Sequence, residues 1–162
     1  MAQGQVERLD RAMEGLAHFY HRRGRYQEGE AAFRAAADRL MTEDVSGRRL
    51  RVAARALVWE AYFARALGRR ELAARLRQQS LALLERPEVA DRDTRAERAL
   101  VYSHMGRAVY LSDYERARTF LERSLALYRA LGDAWRTAAA LHSLGTAALF
   151  RGAYADARAA ME

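Results

Sequence analysis

Residues Ser143–Ala157 read SLGTAALFRGAYADA. The stretch has the form of one half of a helical hairpin. Gly145 leaves room for a neighbouring helix, Gly152 suits the end of one helix, and Tyr154 and Ala157 open the next. Earlier parts of the chain restate it: aligned on the turn, Gly24, Gly68, Ser112 and Gly152 follow one another at 44, 44 and 40 residues. Two residues past the turn stand Tyr26, Arg70, Tyr114 and Tyr154, and five past it stand Gly29, Ala73, Ala117 and Ala157. A small residue at every copy of one position implies a backbone packed against it. Hairpins of this kind cannot bury their apolar faces alone and must stack, so the chain is expected to be a short solenoid.

Working outward, Val6, Leu9, Met13, Leu16, Ala17 and Tyr20 recur at helical spacing and predict a helix over 4–23 that ends at Gly24. A second follows from Tyr26 to about Leu40, with Gly29, Phe33, Ala36, Ala37 and Leu40 inward. Only Gly24 and Arg25 separate the two, which requires antiparallel packing. Thr42–Gly47 reads as the first connection between repeats. A third helix is expected from about Arg48 to Leu67, with Leu50, Ala53, Ala54, Leu57, Ala61 and Ala64 inward. A fourth should run from Arg69 to about Glu85 through Leu72, Ala73, Leu76, Ser80, Leu81 and Leu84. Pro87 stands just past its end, and Pro87–Asp93 reads as a hinge or a short extra turn. Asp93 or Thr94 can cap the fifth helix, with Glu97 completing a capping box from Thr94. That helix carries Ala96, Leu100, Val101, Met105, Gly106 and Val109 and is expected to end near Ser112.

The sixth helix reads as Tyr114–Leu131, with Ala117, Phe120, Leu121, Leu125 and Tyr128 inward, and Gly132-Asp133 closes it. The seventh spans 134–151, and the eighth starts near Ala153 and stops at Glu162. Hairpins of about 4–41, 48–85, 94–131 and 134–162 thus make one domain over 1–162. The short last helix, with no polar cap behind it, is expected to belong to a longer array. Its open end around Phe150, Tyr154 and Met161 should pair with another copy, giving a homodimer.

A chain of 162 residues that is 51% hydrophobic and 30% charged has an ordinary globular composition. Isoleucine is absent, while Ala, Leu, Arg and Glu dominate, which favours helices. No apolar run reaches membrane-spanning length, and Glu7, Asp10 and Glu14 stand where a signal peptide would be apolar, so a cytoplasmic location is expected. With no cysteine there are no disulfides, thiol nucleophiles or thiolate metal sites. The net charge of +7 raises nucleic acid as a partner, but all 28 basic residues are Arg and Lys and Asn are missing, a pattern of GC-rich coding. Phosphate tracking needs a clustered basic stripe, so nucleic-acid binding through the Arg-rich surface is the weakest of the partner readings.

The pattern of a small residue, Leu and Gly, then Gly seven on, Tyr nine on and Ala twelve on resembles the tetratricopeptide repeat. Leu144, Gly145, Ala148, Gly152, Tyr154 and Ala157 carry it best. The first copy matches at Leu16, Ala17, Tyr20, Gly24, Tyr26, Gly29, Phe33 and Ala36. The second keeps Ala61, Ala64, Gly68 and Ala73 but has Arg70 and Arg77 where an aromatic is usual. The third keeps Met105, Gly106, Tyr114 and Ala117, with its turn one residue shorter. The resemblance implies an all-α fold, a right-handed α-α superhelix of about four helical hairpins. Phrases such as QQSLALLE and LERSLALYRALGD are similar to the extended repeats of bacterial STAND signal-transduction ATPases and multidomain transcriptional regulators, where such repeats serve as the sensor arm.

In the family's frame, the first helix of each hairpin lines the concave side. That places Arg11, Glu14, His18, His21 and Arg22 there in the first copy, and Arg55, Tyr62 and Arg65 in the second. The third offers Ser103, Arg107 and Tyr110, and the fourth His142 and Thr146. Arg, His and Tyr in one groove suit a protein or an extended acidic peptide, or a small inducer, through charge-assisted bonds and stacking. The alternative is a generic assembly scaffold that self-associates. His18, His21 and Glu14 share a helix face but lack a further ligand and a second shell, so no metal site is expected. GxxxxGK[ST], GxSxG and HExxH are all absent, and neither an enzyme nor a cofactor is expected.

Overall fold

A computed structural model of the chain describes residues 3–42 and 46–161. The described residues are helical throughout, with no strand, and they form α1 (Gln3–Arg22), α2 (Tyr26–Met41), α3 (Gly47–Ala66), α4 (Arg70–Leu83), a short 3-10 helix at Pro87–Val89, α5 (Arg95–Val109), α6 (Tyr114–Ala130), α7 (Ala134–Arg151) and α8 (Tyr154–Met161). Residues 43–45 of the connection read at Thr42–Gly47 lie outside the described residues, as does Glu162. The chain divides into two compact units, one ending at Thr94 and the other starting at Arg95.

In the first unit α3 is the central helix. It packs on α1, α2, α4 and the 3-10 helix, and it is buried almost all round. Ala53, Ala54, Ala56, Ala61 and Ala64 are small enough to let neighbours approach on several sides. Val6, Met13 and Ala17 form the buried stripe of α1, whereas Leu16, expected inward, is 40% exposed. Phe33 of α2 stacks on Phe63 of α3 at 5.8 Å with the ring planes 13° apart. A Cβ at Gly29 would sit 2.8 Å from the same ring. The segment read as a hinge or an extra turn is an extra turn, and its Val89 is buried.

The second unit repeats the packing scheme. Each helix packs on the next, and the first packs also on the third: α1 on α3 above, α5 on α7 here. Ala99, Leu125, Tyr128 and Ala140 form a core with Leu127, Leu131, Leu141 and Leu144 around it. Gly29, Ala73, Ala117 and Ala157, the matched small positions, are all buried. Ala96, one of the residues read along the fifth helix, is exposed.

The hairpin turns follow from sequence in three cases of four. Gly24, Gly68 and Gly152 have φ of +66°, +81° and +79°, the left-handed conformation that glycine adopts without steric cost. The residue after each bonds back five residues, as Arg25 N does to Tyr20 O at 2.9 Å, Arg69 N to Ala64 O at 2.9 Å and Ala153 N to Ala148 O at 2.9 Å. Gly132 closes α6 in the same way, with φ of +67°. Ser112 does not take this conformation. α5 stops at Val109, before the expected end, and Asp113 caps α6 through Oδ1, which accepts from Arg116 N at 3.0 Å.

Candidate functional site

The residues expected to receive a partner lie on α1 and α3 in the first unit and on α5 and α7 in the second, with Tyr110 just past the end of α5. On α1, Glu7, Asp10, His18 and His21 fall at helical spacing; on α3, Arg48, Arg55, Trp59 and Tyr62 do the same. The two stripes meet. Arg48 Nη1 lies 2.7 Å from Glu7 Oε1, and Arg55 donates to Asp10 Oδ1. The His18 ring meets the Trp59 ring edge-on at 6.1 Å, and the Tyr62 hydroxyl shares a 2.7 Å hydrogen bond with His21 Nδ1. Tyr62 also sits edge-on to Phe63 at 5.2 Å, which ties the wall to the core.

These contacts divide the wall into two parts. Toward the start of α1, acidic and basic side chains neutralise one another: Asp10 occupies Arg55, and Glu7 sits 3.8 Å from Arg11 as well as against Arg48. Toward the ends of α1 and α3, His18, His21, Arg22 and Arg65 are exposed beside the half-buried Tyr62. Neither Arg22 nor Arg65 has an ion pair among the described residues. The sequence groups all of these residues together, and the structure leaves the unneutralised cations at one end.

In the second unit Ser103 and Thr146 are half-buried, while Arg107 and His142 are exposed. Only Tyr110 meets another notable group, the Phe150 ring at 5.4 Å. These two rings border an open cleft of about 400 Å³ with Leu111, Asp113, Glu115 and Arg151. His104 is buried in α5.

Behind the wall lies a network that sequence reading misses. The buried Glu30 carboxylate accepts from Arg34 Nη2 at 2.8 Å and from Arg69 Nη1 at 2.7 and 2.9 Å. Arg34 Nε reaches Glu60 Oε1 at 3.1 Å. Burial raises the Glu60 carboxyl above the usual carboxylate range, and the bond from Arg34 pulls partly against it. The network joins α2, α3 and the α3–α4 turn. Trp59 also escapes notice in sequence, although its place four after Arg55 and three before Tyr62 marks the same face.

Among the described residues no cluster of His, Asp and Glu is placed to hold a metal ion, and no helix is long and apolar enough to cross a membrane. His18 meets the Trp59 ring edge-on, and His21 is hydrogen-bonded to Tyr62. Comparison of the chain with protein-family models and with curated proteins finds no match.

Proposed function

We propose that the chain is a tetratricopeptide-like binding module, a right-handed α-α superhelix of four hairpins over residues 1–162. It acts as the sensor or interaction arm of a STAND-type signalling ATPase or transcriptional regulator in the cytoplasm. The observation that supports this most is the cationic and aromatic end of the α1–α3 wall, where His18, His21, Arg22 and Arg65 are exposed around Tyr62. The His21–Tyr62 bond fixes two rings before any partner arrives, which lowers the ordering cost of binding. Exposed guanidinium groups beside fixed rings suit a carboxylate-bearing protein segment or inducer. The chemistry is recognition without catalysis.

The test is fluorescence anisotropy with a labelled Glu-rich peptide. Wild type should bind with an affinity that falls as salt rises. Arg22→Glu with Arg65→Glu should abolish binding and leave the melting temperature near wild type, because both side chains are exposed. Binding that survives in the double variant would sink the wall assignment.

A second reading, assembly with copies of itself, is favoured by the apolar surface of the second unit. Trp135 is 79% exposed, Tyr154 72%, Leu111 66% and Phe150 65%. Large apolar groups at this exposure mark association surfaces when they are contiguous.

A further inference from the structure

We propose that Arg77 of α4 and Arg65 of α3 form a site for a small oxyanion, a phosphate or a carboxylate. Several buried polar groups elsewhere in the protein have partners of their own. Glu30 is held by Arg34 and Arg69, and Glu60 by Arg34. Arg49 donates to the carbonyls of Leu40 and Arg39. Ser80 and Ser124 donate to carbonyls of a facing helix. His104 has a partner too, and so does Glu97, although its Oε2 accepts no hydrogen bond among the described residues.

Arg77 stands apart from these groups. It is 6% exposed, and among the described residues no carboxylate, carbonyl or ring meets its guanidinium. The charged group that acts on it, Arg65, is of the same sign. Burial, and then Arg65, push the Arg77 pKa down to about 10.

The position sharpens the point. Arg77 stands nine residues past the turn glycine, where the other copies have Phe33, Leu121 and Met161. An apolar side chain is enough for packing there. The methylene stem of an arginine could serve the same end, but stem packing leaves the buried Arg77 guanidinium with no counter-ion and with Arg65 as a like-charged neighbour. An oxyanion at this place would accept hydrogen bonds from both and give Arg77 the opposite charge that Glu30 and Glu60 already find in their arginines. The Arg77 nitrogens keep some contact with solvent. The inference goes beyond the α1–α3 wall: it shares Arg65 with that wall but stands on Arg77, which lies outside it.

The experiment is thermal unfolding of the full chain in rising inorganic phosphate, with succinate as a second arm and sodium chloride at matched ionic strength as control. A ligand that binds only the folded state raises Tm saturably. Phosphate or succinate should therefore raise Tm by several degrees where chloride does not, and the arm that acts at lower concentration identifies the anion. Arg77→Met should melt no lower than wild type without anion, because a buried unpaired charge is gone, and it should lose the anion-specific rise. Arg65→Gln, an exposed change, should keep the fold and weaken the response several-fold. Equal melting of wild type in all three salts overturns the site, as does an Arg77→Met protein that keeps the full rise. Should Arg77→Met fail to fold, an unchanged anion response in Arg65→Gln overturns it instead. Arg22 belongs to the wall alone and Arg77 to the anion site alone, so lost peptide binding in Arg22→Glu is distinguishable from a lost anion response in Arg77→Met.

Discussion

At Gly47 an added Cβ would run into the carbonyl oxygen of Glu88, so the start of α3 and the 3-10 helix are in backbone contact. Gly47→Ala should therefore cost about 1 to 3 kcal/mol, read as a lower denaturant midpoint, because backbone cannot move aside as a side chain can. Gly145 differs in degree. Its Cβ would meet Met161 at 2.7 Å and the Ala157 carbonyl at 3.3 Å, and Met161 is half-exposed and flexible. Gly145→Leu should fall toward the lower end of the same range, about 1 kcal/mol. Glu30→Ala removes an acceptor shared by Arg34 and Arg69, and since both arginines are half-exposed and stay hydrated, the loss should be about 1 to 3 kcal/mol. The small positions were legible because recurrence at a fixed offset does not depend on side-chain geometry. Glu30 was not, since a glutamate on a helix reads as solvated until the arginines of a neighbouring turn are placed beside it.

At the scale of the element, the turns separate what sequence shows from what it hides. A glycine past the end of an apolar stripe predicts a left-handed close, and Gly24, Gly68 and Gly152 adopt it. Ser112 aligns with them by spacing alone, yet the α5–α6 turn works through the Asp113 cap. The one-residue change in that turn shows elsewhere too. Ser80 bonds to Ala54 and Ser124 to Ala99, so the serines are 44 residues apart and their acceptors 45.

Asp133 caps α7 by accepting from Arg136 N at 2.9 Å, and its pKa is held below the usual value by that backbone bond first and by the Arg136 side chain next. Asp133→Ala should cost about 1 kcal/mol. A carboxylate whose pKa is depressed in the folded state gives stability that is present above its unfolded pKa and lost as pH falls through the folded one. Wild type should accordingly lose Tm more steeply than Asp133→Asn as pH is lowered below about 4, the ordinary range of the group. Equal slopes would show that the cap is not ionised.

At the scale of the whole molecule, both units obey one packing rule, with each helix on its neighbour and the first on the third. That rule was legible because the period of the small residues sets it. The division of the wall into a neutralised part and a cationic part was not, because it depends on α1 facing α3 in a register that places Asp10 on Arg55. The exposed apolar groups of the second unit predict self-association: mass by light scattering should climb with concentration and fall back in Trp135→Ser with Tyr154→Ser. Constant mass in wild type would remove that reading.

The measurement that bears most directly on the fold argument is a set of eight melting curves. Leucine is placed singly at the buried Gly29, Ala73, Ala117 and Ala157, and at Ala31, Ala74, Ala126 and Ala155, exposed neighbours on the same helices. Overfilling a close helix contact costs about 1 to 3 kcal/mol, whereas an exposed Ala→Leu change stays within about 0.5 kcal/mol. The first four variants should each lose several degrees of Tm and the second four should match wild type. Two sets that melt alike would mean that the recurring small residues do not hold the hairpins together.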